Sequence, residues 1–184
     1  MHISRIIALL GVIVGTVGLF LKALSSPGES NLDALSASVE ELPSSIPTIW
    51  GGLDTWAKIA VVVAIVMVIA LVFQPPRNSP FGASAAMIVT VIGLALTAYA
   101  VFKWLEAGDN ADQMQAAFEQ IADAGQIPEA FDVTTGPGFI VLVAGTLLIT
   151  IGGLLGFRRR GEVVAIEQVD EAGSPDDGVV TTDS

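Results

Sequence analysis

Few side chains in this 184-residue sequence are of the types that carry catalysis or hold metals. There is no cysteine, so thiolate chemistry, disulfides and cysteine-ligated metals are excluded. The single histidine, His2, lies at the chain end, where it cannot complete an interior Ser-His-Asp triad or supply two haem ligands. All 19 acids lie outside the apolar segments and lack the alternating spacing of a calcium loop. The sequence therefore predicts a protein that is not an enzyme and has no metal or cofactor.

Three lysines could still bind a ligand. Lys22, Lys58 and Lys103 each lie at the end of an apolar segment, beside acidic stretches. They could form a ring that contacts lipid head groups or another anion. Alternatively, each could extend to a membrane interface and pair with a nearby acid. The acids placed to do so are Glu29, Asp54 and Glu106.

The arginines have a different distribution from the lysines. If the apolar segments alternate in direction, all the arginines beside them fall on one side and the three lysines on the other. Because basic residues concentrate on the cytoplasmic side of membrane proteins, we expect both chain ends in the cytoplasm of a cell-membrane protein. Nucleic acid is not an expected partner, since the net charge is −11 and only one short arginine cluster could contact phosphates. The arginines interpreted as topology anchors are Arg5, Arg77, Arg158, Arg159 and Arg160.

Long apolar segments position these residues. The chain is 52% hydrophobic and only 15% charged, which is typical of a membrane protein. Segments that approach or reach the roughly 20 residues needed to cross a bilayer cover 5–24, 56–73, 81–103 and 138–157. Residues 1–157 are therefore predicted to form an all-α integral membrane protein, a four-transmembrane-helix bundle. For the first segment, a signal peptide cleaved near Ser25 is the alternative.

The two extracytoplasmic loops, 25–55 and 104–137, are each predicted to carry one short amphipathic helix. Asn110 is expected to cap the second of these helices, and Gly125 is expected to end it. The acidic tail, 158–184, is predicted to be cytoplasmic and disordered, apart from a brief extended stretch. Apolar residues recur at helical spacing as Leu32, Leu35, Val39 and Leu42 in the first loop, and as Met114, Phe118 and Ile121 in the second.

Small residues recur along the apolar segments at intervals of three, four or seven. Such residues let helices approach closely inside a membrane. They could hold the four helices of this chain together, or one face could dock a helix of another membrane protein or of a second copy. The glycines of these faces are Gly11, Gly15, Gly18, Gly93, Gly138, Gly145, Gly152 and Gly156.

The topology suggests a class of protein rather than an activity. Two outer loops and a short inner turn are similar to the layout of claudin-like tetraspan proteins, and Trp50 to Trp56 resembles the tryptophan-containing loop motif of that family. The loop cysteines of the family are absent, so the resemblance assigns no functional residue.

Three functions follow from these features. The leading interpretation is an accessory or scaffold subunit that binds other membrane components through its glycine faces and an acidic extracytoplasmic cap. The alternative is a component that binds or transports a lipid or small molecule near the three lysines. A pore former is disfavoured, because no apolar segment carries a polar stripe.

Overall fold

A computed structural model describes residues 1–31, 45–125, 127 and 129–172, with side chains described up to 29 and, from 45, up to 157. The helices are α1 (Ile3–Phe20), the short α2 (Ile49–Gly52), α3 (Thr55–Phe73), α4 (Ala83–Asp123) and α5 (Gly138–Ala172). Two short strands, β1 (Leu24–Ser25) and β2 (Thr134–Thr135), form an antiparallel pair. A 3₁₀ turn covers Pro27–Asn31.

The four long helices are those that the apolar segments predict. Each of α1, α3, α4 and α5 contains a stretch long and apolar enough to cross a membrane, with mean hydropathy between 2.2 and 2.8. They alternate in direction, so the amino terminus lies at the same end of the bundle as the proline-rich turn, residues 74–80. We call this the turn end. The opposite end carries residues 21–31, 45–54, 104–125, 127 and 129–137, which we call the cap.

The helices do not pack equally. In α1 and in the apolar part of α5, 44% of residues are buried, whereas the corresponding share in α3 is 17%. The α1 helix lies along α5, and α5 lies along α4, so these three form the core of the bundle. The α3 helix lies at the side of this core and exposes large apolar residues such as Val63 and Val66.

The α4 helix is longer than predicted. It runs from Ala83 to Asp123 without interruption, whereas the sequence predicts a span that ends near residue 103 and a separate helix capped by Asn110. The capping role of Asn110 is wrong, because this residue lies inside a continuous helix. The reason is local: residues 103–112 contain no proline, and the single glycine among them, Gly108, costs only about 1 kcal/mol in a helix.

The predicted apolar side of the second-loop helix faces a core. Met114, Phe118 and Ile121 are buried and form one side of a small apolar core in the cap. Phe118 is fully buried and meets Phe131 edge to face, with 5.5 Å between ring centroids. Gly125 follows the helix end with a φ of 72°, a conformation that glycine adopts without strain.

Two predictions concern the remaining segments. The first-loop helix through Leu32, Leu35, Val39 and Leu42 lies outside the described residues. The α5 helix continues to Ala172, whereas the sequence predicts a disordered tail from residue 158 onwards. Residues 162–172 contain neither proline nor glycine and include Glu, Ala and Gln, which favour helix.

Candidate functional site

The glycines of α1 and α5 lie where these two helices touch. A Cβ atom added to Gly145 would lie 2.2 Å from the Gly15 nitrogen, and one added to Gly11 would lie 2.6 Å from the Gly145 carbonyl oxygen. At these distances only a hydrogen atom fits between the two backbones. The glycines therefore set the spacing between α1 and α5.

The other predicted glycines also face neighbouring segments of this chain. A Cβ atom on Gly18 would meet Leu142, one on Gly152 would meet Ala8, and one on Gly93 would meet Thr150, in each case at 2.5–2.7 Å. Gly138 and Gly156 pack in the same way, and all eight glycines are buried. Because the chain covers these faces itself, they are not available on the surface for a second protein.

The three lysines have different interaction partners. Lys22 pairs with Glu29, and Lys103 pairs with Glu106 at 2.6 Å. The Lys58 ammonium lies 5.9 Å from the centroid of the Trp50 ring. Each lysine thus has its own partner, and Lys103 alone of the three also lines the central cavity described below.

Arg5 has a structural role in addition to the anchoring role that the sequence predicts. Its side chain is only 3% exposed. Its guanidinium donates hydrogen bonds to carbonyl oxygens at the end of α3, at 2.9 Å to Val72 and 2.5 Å to Gln74. It also donates to the Ser79 carbonyl at 3.1 Å. Arg5 therefore binds together the start of α1 and the end of α3.

The sequence contains a signal for this contact. In a continuing helix, the carbonyls of Leu71 and Val72 would accept from the N–H groups of residues 75 and 76. Those residues are Pro75 and Pro76, which have no N–H group. Buried carbonyls need donors from elsewhere, and the Arg5 guanidinium supplies them, including a longer contact of 3.4 Å to Leu71. A Pro-Pro pair after an apolar helix, with an arginine beside another span, is the signal that sequence reasoning missed.

Arg77 and the arginines at 158–160 are the remaining predicted topology anchors. Arg77 is exposed, and its guanidinium lies 5.6 Å from the Phe73 ring centroid. The backbone of residues 158–160 is helical, and their side chains lie outside the described set. The anchoring role of Arg77, Arg158, Arg159 and Arg160 stays a prediction.

An apolar cleft lies between α3 and α4, on the side of the bundle. Its volume is about 280 Å³. Its walls are chiefly small side chains, namely Ala57, Ala60 and Ala64 of α3 and Ala95 of α4. The Tyr99 hydroxyl is the one polar side-chain group in the lining. Because α3 is packed more loosely than the other helices, this cleft opens towards the surface that surrounds the bundle.

Two further hollows lie next to the cleft. A central cavity of about 40 Å³ lies between the helices and is lined almost wholly by apolar atoms, with Thr16, Leu96 and Thr146 in its wall. A pocket of about 150 Å³ lies at the cap, where Lys103, Glu106 and Asn110 line it together with apolar residues. These three hollows are the candidate site.

Comparisons of the chain with protein-family models, with curated proteins and with solved structures gave no match. Within the residues that the structure describes, no three His, Asp or Glu side chains come together in an arrangement that could hold a metal ion. The function is therefore inferred from the hollows and from the cap.

Proposed function

We propose that this chain is a non-enzymatic, multi-pass membrane protein that binds a lipid or a similar amphiphile in the cleft between α3 and α4. Its four long apolar helices support insertion into the cell membrane, and the arginine distribution supports cytoplasmic chain ends. The observation that carries the binding role is the cleft itself. Its apolar lining and small side chains suit a hydrocarbon chain.

The packing of α3 supports this function. The glycine contacts of α1, α4 and α5 bring those helices together at backbone distance, whereas α3 and α4 come close at few positions and leave the cleft between them. In a bilayer, a lipid chain would fill such a space, because neither water nor a vacuum is favourable there. The alanines of α3 and α4 leave room for that chain.

A second candidate function rests on the cap. The cap has its own buried core around Phe118, so it is a folded surface. Between residues 104 and 137 it carries acids at 106, 109, 112, 119, 123, 129 and 132, and no lysine, arginine or histidine. This charge suits a membrane-protein partner with a basic extracytoplasmic surface, for which the chain would act as an accessory or scaffold subunit. The glycine faces do not contribute to this candidate function, because the chain buries them itself.

The first function can be tested by filling the cleft. Ala95 lines the cleft, whereas the nearby Ala98 is exposed on the same helix and lines none of the three hollows. Native mass spectrometry of the protein released from lipid nanodiscs should show retained lipid for the unmodified chain and for Ala98→Phe, and loss of that lipid for Ala95→Phe. Equal retention in both variants would contradict binding in the cleft.

The second function has a separate test. A partner held by the acidic cap should co-purify in mild detergent at low salt and dissociate as the salt concentration rises. Replacing Asp109, Asp112 and Glu119 by Asn and Gln should release it without changing the lipid retained in the cleft. A chain that purifies alone at low salt, from native expression, would contradict this candidate.

A further inference from the structure

The cleft, the central cavity and the cap pocket lie in series through the molecule. Val61, Leu96 and Tyr99 line both the cleft and the central cavity. Ile49, Leu53 and Lys103 line both the central cavity and the cap pocket. Each pair of neighbouring hollows therefore shares part of its wall. Together they lead from the side of the bundle to the cap.

The polarity of the walls changes along this series. The cleft and the central cavity are lined by alanine, valine, leucine and glycine surfaces, with few polar atoms. The cap pocket adds the Lys103 ammonium, the Glu106 carboxylate and the Asn110 amide. An apolar path that ends beside charged groups matches a molecule with a hydrocarbon tail and a polar head.

The width of the path limits which tail can fit. The central cavity has a volume of about 40 Å³, compared with about 280 Å³ for the cleft and about 150 Å³ for the cap pocket. It is the narrow point between two wider spaces. One hydrocarbon chain can pass there with small side-chain movements, whereas two chains side by side or a fused ring system cannot, because packed interiors resist such expansion.

The charges at the cap limit the head group. Lys103 and Glu106 form an ion pair at 2.6 Å, and the surrounding cap is acidic. A purely anionic head would be repelled by Glu106 and the other acids. A head that both accepts a hydrogen bond, from Lys103, and donates one, to Glu106, would satisfy both charged groups.

We propose that the three hollows together bind one amphiphile with a single hydrocarbon chain and a small head that both accepts and donates hydrogen bonds. The chain lies in the cleft and the central cavity, and the head lies in the cap pocket at Lys103 and Glu106. This inference rests on the proposed lipid-binding function and names the class of ligand. Two sources share this chemistry, a straight-chain lysolipid and an isoprenoid alcohol.

The experiment uses a matched pair of threonines. Thr16 lines the central cavity and donates to the Val12 carbonyl at 2.7 Å, whereas Thr97 lines none of the three hollows and donates to the Gly93 carbonyl at 2.8 Å. Affinities of the full chain in nanodiscs are measured for palmitoyl lysophosphatidylethanolamine, geranylgeraniol and dipalmitoyl phosphatidylethanolamine. We expect Thr16→Leu to weaken binding of the single-chain probe by about tenfold or more, and Thr97→Leu by less than about twofold.

The outcomes separate this inference from the function on which it rests. Preference for the lysolipid or for geranylgeraniol supports the inference and identifies the source of the chain. If the two-chain lipid binds as tightly, with loss in Ala95→Phe and no effect of Thr16→Leu, the path is wrong but lipid binding in the cleft stands. If none of the probes binds the unmodified chain, the lipid-binding function itself fails.

A second measurement requires no substitution. Lysophosphatidylethanolamine with a photoreactive diazirine at the end of its chain should cross-link to residues of the cleft and central cavity, such as Ala64 and Thr16. The same lipid with the diazirine on its head should cross-link near Asn110. Head-group cross-links at the turn end would overturn the proposed orientation.

Discussion

Arg5 is a charged residue whose position is determined by backbone carbonyls rather than by a carboxylate. Its side chain is buried at the turn end, and its guanidinium contacts carbonyl oxygens of residues 71, 72, 74 and 79. The partial negative charge at the carboxyl end of a helix favours a cation at this place. The Phe81 ring, 5.1 Å from the guanidinium carbon, covers another side of the group. Arg5 thus compensates for the N–H groups that Pro75 and Pro76 lack.

Replacing Arg5 by lysine should destabilise the fold. The lysine ammonium is a single point and cannot reach carbonyls that a planar guanidinium contacts together. We expect Arg5→Lys to lower the free energy of unfolding by about 1–3 kcal/mol, because hydrogen bonds to charged groups are lost. Thermal unfolding in mild detergent measures the effect. The control is Arg77→Lys, an exposed residue of the same end, which should change the unfolding temperature very little; equal effects of both variants would contradict the capping role of Arg5.

The sequence predicts the surroundings of these residues better than their contacts. The position of Arg5 beside an apolar segment indicates one end of a span, but its partner lies more than 65 residues away along the chain. The lysines show the same limit. The sequence predicts acidic partners for Lys22 and Lys103, and both pairs form, whereas Lys58 lies over Trp50 instead of pairing with Asp54. The Asp54 carboxylate accepts a hydrogen bond from the Ala57 N–H and caps α3.

The contact between α1 and α5 depends on glycines in both helices. Close approach brings backbone atoms of Gly11 and Gly15 into contact with Gly145, which increases dispersion attraction where water provides no driving force. The α3 helix has no comparable glycine face, and its alanines border the cleft. Glycines thus lie on the tightly packed helices α1 and α5, whereas alanines lie on the peripheral helix α3.

Two alanine substitutions should have opposite effects. Gly145→Ala would place a Cβ atom 2.2 Å from the Gly15 nitrogen, so the helices must separate; overpacking of this kind costs about 1–3 kcal/mol. In Gly108→Ala the added atom meets nothing within 4 Å, and alanine favours helix by about 0.5–1 kcal/mol. Unfolding temperatures should fall for the first variant and rise for the second. A neutral Gly145→Ala would show that α1 and α5 are not in backbone contact.

At the level of elements, hydropathy predicts the four long helices because each needs an uncharged stretch. It does not predict where α4 ends. Beyond residue 103 the apolar stretch is followed by an amphipathic one. In the sequence, this change of composition looks like the end of a helix, although no helix-breaking residue is present. The cleft is also not predicted, because its width depends on how α3 and α4 lie relative to each other. The alanine spacing of α3 is visible in the sequence, but it is equally compatible with close packing.

The whole molecule has one end with both the amino terminus and the proline-rich turn, and another end with the cap. If the four helices cross the cell membrane as proposed, the cap is extracytoplasmic. The absence of native cysteine allows a direct test with single-cysteine variants. In intact cells, a membrane-impermeant maleimide should label Asp109→Cys, and it should label Asn78→Cys only after the membrane is permeabilised. Reversed labelling would invert the orientation, and equal labelling of both sites would contradict the four-span topology.

The unbroken α4 helix has a mechanical consequence. From Lys103 to Asp123 it extends about 30 Å beyond its apolar part, at a rise of 1.5 Å per residue. A helix acts as a stiff lever over such a length, so a tilt of about 10° near Lys103 would displace its tip by roughly 5 Å. The same helix forms one wall of the cleft. If a bound ligand pushed α4 away from α3, the part of the cap core that α4 carries, around Phe118, would move with it.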